Sequence, residues 1–161
     1  MSSKKQLLAQ FSLHNVLFNN VLDQITDEEA NTSIAPPMNS FKWLAGHVLN
    51  SQGHLATLSG VDIAIPWARH FAAKATDVKT VTPTLAEIKA KWNEIHPQLQ
   101  ASLENLSEEA LNQAIEIPHP IAAFDNTLGG FWAFINHHQA YTIGQMGILR
   151  RGFNKDAMKY S

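Results

Sequence analysis

The side chains best equipped for chemistry in this 161-residue chain are histidines set into otherwise apolar stripes. Between Thr127 and Gly152, Phe131, Ile135, His138, Thr142, Gln145 and Leu149 recur at alternating steps of four and three. That spacing keeps them on one face of a helix. Three consecutive members of the stripe are polar, and a buried polar group costs free energy unless it is satisfied. Leu44, His47, Ser51, His54 and Leu58 repeat the pattern in an earlier segment. If the two segments are neighbours, the imidazoles of His47 and His138 can point at one volume and hold a divalent cation through nitrogen. His54 lies ~10 Å further along a helix axis, at 1.5 Å per residue, so it cannot easily share one ion with His47. It falls to one of the pair to be a ligand and to the other to line the pocket. A third stripe, Leu7, Phe11, His14, Phe18, Val21 and Ile25, contains one more histidine. His14 either lines the same pocket or is a core histidine bonded to a neighbour. The structural alternative for His47 and His138 is a pair of core imidazoles hydrogen-bonded to Ser51, Thr142 or Gln145. One turn on from His138, the usual position for a second ligand on the same helix is Thr142, a neutral hydroxyl. Gln145 is a similarly weak donor.

Composition narrows the chemistry. There is no cysteine, so disulfides and thiolate metal sites are excluded. Net charge is −2 with histidine neutral, and no basic stripe marks a nucleic-acid or anionic-membrane partner. No apolar run approaches the ~20 residues that a membrane span needs. The start of the chain has neither the apolar stretch nor the cleavage site of a secretory signal, so the cytoplasm is the expected compartment. Charged residues make up 16% of the chain, below the usual quarter. So little charge points to a homodimer that buries part of its exterior.

Four amphipathic helices position these groups. The first runs from about Lys5 to Ile25. The second opens at Asn39 or Ser40 and ends at Gly60, with Gly46 and Gly53 permitting close approach of another helix. The third opens on a Thr84–Glu87 capping box, carries an all-apolar stripe to Leu106 and bends at Pro97. The fourth is capped by Thr127 and closed by Arg150, Arg151 and a left-handed Gly152. Between the second and third, residues 61–83 show no period. A loop of that length is often functional or holds a short helix, and Trp67 and His70 in it either fold over a pocket mouth or tack the loop down. Ser107 caps a short turn, residues 115–128 form a small extended or hairpin piece, and the tail from Phe153 is at most partly ordered. The whole, residues 1–161, reads as one all-α domain, a four-helix bundle with a site built from facing side chains.

Two segments also resemble a known family. NSFKWLAGHVLNSQGHL (residues 39–55) resembles the S-x-x-W-x-x-x-H segment of the DinB-like (YfiT-like) metalloenzymes. HHQAYTIGQMGILRRGF (residues 137–153) resembles their closing motif, H-x-x-x-H-x-G-Q followed by a basic pair. The resemblance implies a four-helix bundle, commonly dimeric, with nickel or zinc on three histidines and, in some members, transfer of small thiols to electrophiles. His47 matches the first metal histidine and His138 the second, while the third falls on Thr142. His14, His54 or water would then substitute. The expected activity is a metal-dependent (thiol) transferase or hydrolase acting on a small molecule. The alternative is a non-catalytic, stress-related or small-molecule-binding member with a degenerate metal site. A purely structural dimerisation module is a third reading, against which the polar stripes argue.

Overall fold

The computed structural model describes residues 3–35, 38–72, 82–117 and 124–160. Its helices are α1 (Ser3–Leu22), α2 (Asp27–Asn31), α3 (Phe41–Leu58), α4 (Leu85–Asn105), α5 (Glu108–Leu111) and α6 (Leu128–Gly152), with a 3-10 turn at Ala68–Phe71. Among the described residues, extended pairing is limited to one isolated antiparallel bridge, Ala114 with Thr127. None of the described helices is long and apolar enough to cross a membrane.

Local sequence explains where the helices begin. The hydroxyls of Ser40, Thr84 and Thr127 accept from the backbone N–H of Trp43, Glu87 and Gly130 respectively. Thr84 and Glu87 close the reciprocal capping box. At the other end of α6 the expectation fails. Gly152 stays helical, and Asn154 takes the left-handed conformation at φ 58°. Gly152 is small for packing: a Cβ there would meet the Ile34 side chain at 3.1 Å. Pro97 does not split α4, which runs unbroken through it.

Side-chain bonds fix the helix directions. Asn136 of α6 donates to the Leu7 carbonyl of α1, and Arg150 donates to that of Val21. Both contacts climb the two helices together, so α1 and α6 are parallel. Ser12 meets Gln100 and Asn19 meets Asn93, so α4 runs against α1. Asp27 joins the start of α3, through Lys42 at 3.0 Å, to the start of α4, through the Leu85 N–H at 2.9 Å. Ser102 reaches the Ser59 carbonyl at their far ends, so α3 and α4 are parallel as well. The bundle is therefore up-down-down-up. This order explains the aperiodic segment after α3, which must return the chain along the full bundle before α4 can begin.

The core follows the stripes of α1 and α4 read from sequence, with Phe18 stacked on Trp92 and Phe11 on His96. On α3 the buried stripe runs instead through Phe41, Ala45, Val48, Gln52 and Leu55, while His54, read into the stripe, is exposed. On α6 the deepest stripe is Trp132, Asn136, Gln139, Ile143, Met146 and Arg150. It lies one step round from the stripe containing His138. The tail is docked, contrary to expectation. Arg150 donates to the carbonyls of Val21, Asp23 and Asp156, Lys155 pairs with Glu29, and Met158 packs on the core.

Candidate functional site

The α6 face that carries His138 packs against α3. The rings of His47 and His138 meet edge-on, with centroids 5.0 Å apart. A cavity of about 240 Å³ opens beside them, lined also by Asn39, Trp43, Leu44, Tyr141, Thr142 and Gln145. Among the described residues, no Lys, Arg, Asp or Glu lines it. Trp43 stacks flat on His47 with centroids 4.5 Å apart, and Phe134 stacks on His138 from the other side of the pair.

Each imidazole is held in a defined state. His47 Nδ1 lies 2.8 Å from the Phe71 carbonyl oxygen. A carbonyl only accepts, so Nδ1 carries a proton, and the tautomer this bond selects has its lone pair on Nε2. Burial pushes His138 down to about 4, with help from the neighbouring His47 and His137. It is therefore neutral at physiological pH.

The segment after α3 supplies that carbonyl, and two glycines let it approach. A Cβ on Gly46 would sit 2.4 Å from the Phe71 ring, and one on Gly53 would sit 2.9 Å from Ile65. These glycines thus admit the returning chain; the expected partner was another helix. Trp67 packs against the core and the His70 ring lies edge-on to Phe71. Neither lines the cavity, so both tack the segment down. Phe71 is the functional neighbour that periodicity missed, because its contribution is a backbone carbonyl.

Two other expected candidates lie elsewhere. His54 is exposed, two turns beyond His47. His14 is buried beside Asn136 and Gln139, on the side of α6 turned to α1. The stripe facing α1 is rotated from the one facing α3, so His14 cannot reach the cavity. His137 is exposed on the outer surface.

Among the described residues, no group of three or more His, Cys, Asp or Glu side chains could hold a metal ion. Catalytic zinc sites usually take three protein ligands and leave one position open. His47 and His138 offer two imidazole nitrogens, with Thr142 and Gln145 as weak oxygen donors. The set falls one ligand short of such a centre.

Comparison with known proteins agrees with this architecture. The DinB superfamily model matches residues 10–146, and the chain belongs to that superfamily. A DinB-like protein from Bacillus cereus has the same fold, with a TM-score of 0.73 at 16% identity over 96% of this chain and 95% of that one. A conserved protein from Enterococcus faecalis matches with a TM-score of 0.71 at 20% identity, over 94% of this chain and 96% of that one. No curated protein matches the sequence.

Proposed function

We propose that the α3–α6 cavity binds a small uncharged molecule, and that this chain is a ligand-binding DinB member whose metal set is incomplete at Thr142. The observation that carries this reading is two imidazoles facing a cavity that, among the described residues, has no charged side chain and no third strong ligand in its lining. Pockets for drug-sized ligands run from about 300 Å³ upward, so a cavity of about 240 Å³ suits a smaller molecule. His47 Nε2 would accept a hydrogen bond from it, Thr142 and Gln145 could donate or accept, and Trp43 and Tyr141 would offer aromatic walls.

A second reading has a specific observation in its favour. A backbone carbonyl that fixes one ring nitrogen while the other is left free is the usual outer-shell arrangement of a metal-ligating histidine, and His47 has it. In that reading His47 and His138 hold nickel or zinc for a transferase or hydrolase. The metal, when bound, would supply Lewis acidity towards a bound water or thiol.

Metal analysis of untagged protein separates the two. The first reading expects well under one equivalent of metal, and at least a hundredfold gain in zinc affinity for Thr142→His. One equivalent of nickel or zinc in the parent, lost in folded His47→Ala and His138→Ala variants, would establish the second reading and overturn the first.

A further inference from the structure

We infer that the hollow between the end of α1 and the tail after α6 binds a small zwitterion of the free α-amino acid class, its carboxylate on Arg150 and its ammonium beside Asp23 and Asp156. The hollow has a volume of about 80 Å³, and its lining includes Asn20, Asp23, Gln24, Arg150, Asp156 and Lys159. It shares no lining residue with the α3–α6 cavity.

The site is built on one buried cation. α1 ends at Leu22, which leaves carbonyls at and just beyond its last turn without helical partners. Arg150 Nη1 donates to those of Val21 and Asp23, and Nε donates to the Asp156 carbonyl in the tail. Three of the five guanidinium protons are used in this way. Nη2 has no acceptor among the described residues. Arg150 is 5% exposed and lines the hollow, so the hollow is where an acceptor can reach Nη2. Carbonyl oxygens satisfy protons but carry no net charge, and a buried charge is costly unless it is paired. A carboxylate oxygen on Nη2 would meet both needs.

Charge and size select the occupant. Asp23, Asp156 and Lys159 are exposed around the hollow. Among the described residues, no ion pair joins any of them to another or to Arg150. A simple anion would meet the two acids, and a simple cation would meet Arg150 and Lys159. A molecule carrying one charge of each sign gains from both pairs. At about 10–15 Å³ per water-sized atom, the hollow admits roughly five to eight heavy atoms; glycine has five and alanine six. Its walls are held in place. Asn20 donates to the Lys159 carbonyl at 2.9 Å. Gln24 and Asn154 turn the chain into the two walls in the left-handed conformation, which non-glycine residues rarely adopt.

Proton–nitrogen NMR of the full chain at constant ionic strength tests the inference, with glycine, acetate and methylammonium as probes. Glycine should shift the backbone amides of Asp23, Gln24 and Lys159 and the Nε–H of Arg150, and leave the amides of His47 and Thr142 in place. Its dissociation constant should be on the order of 1 mM, with acetate and methylammonium each binding at least tenfold more weakly. An Arg150 variant would also lose bonds that hold the fold, so the acids give the cleaner test. Asp23→Asn combined with Asp156→Asn keeps both backbone carbonyls, and should weaken glycine binding at least tenfold with helical circular dichroism unchanged. No shift of these signals at about 20 mM glycine, acetate binding as tightly as glycine, or full glycine affinity in the double variant would overturn the proposal.

Discussion

Arg150 is only 5% exposed, yet among the described residues no carboxylate pairs with it; three main-chain carbonyls take its protons. Two belong to the end of α1 and one to the tail, so a single guanidinium sews the chain's last segment to its first helix. Five fixed donors suit Arg to this and make Lys a poor substitute. Arg150→Met should lower unfolding free energy in urea by about 2–4 kcal/mol, since buried carbonyls lose their partners. The same variant should expose residues 155–160 to limited proteolysis. From sequence, Arg150 looked like a helix-end charge, because helical spacing cannot reveal which carbonyls another helix leaves open. Gln52 is the opposite case: its amide is fully buried with no hydrogen-bond partner among the described residues. Gln52→Met, close in shape and without the amide, should raise stability by about 1 kcal/mol in the same urea titration.

Among the elements, the crossover between α3 and α4 links architecture to chemistry. Its Phe71 ring occupies the space that Gly46 leaves, and its Phe71 carbonyl fixes the His47 tautomer. Gly46→Ala should displace this strap, costing about 1–3 kcal/mol as an overpacked contact. Nitrogen-15 chemical shifts of His47 should then report proton exchange between Nδ1 and Nε2, where the parent holds it on Nδ1. Much of the helical framework was legible beforehand. Ser40, Thr84 and Thr127 announced three helix starts, and the stripe through His47 and His138 announced a meeting of α3 and α6. Both signals depend on neighbours within a turn or two. The crossover has no period and acts through its backbone, so nothing in its side-chain pattern advertised the role. His14 misled for a related reason. A stripe shows that a residue faces inward, but not which of two inward-facing surfaces of the partner helix it meets.

At the scale of the molecule, burial of imidazoles sets the acid response. His96 is 2% exposed, stacked on Phe11 and bonded to its carbonyl, and burial pushes it down to about 4. In the unfolded chain it titrates near 6.5, so acid protonates the unfolded state first. Its contribution is therefore fully present above pH 6.5 and is lost as pH falls through about 4. The lost increment is on the order of 3 kcal/mol at 1.36 kcal/mol per unit. Melting temperature should fall steeply between pH 6.5 and 4, and His96→Gln, which keeps a donor but cannot titrate, should flatten that slope. The up-down-down-up order has a mechanical consequence as well. Lys4 sits beside the carbonyls of Glu104 and Leu106, whereas the Lys159 carbonyl binds Asn20 near the top of α1. The two ends of the chain thus leave from opposite poles. A force applied between them would slide α1 along α6 and load their whole seam at once, where an ordinary up-down-up-down bundle would be peeled open one turn at a time.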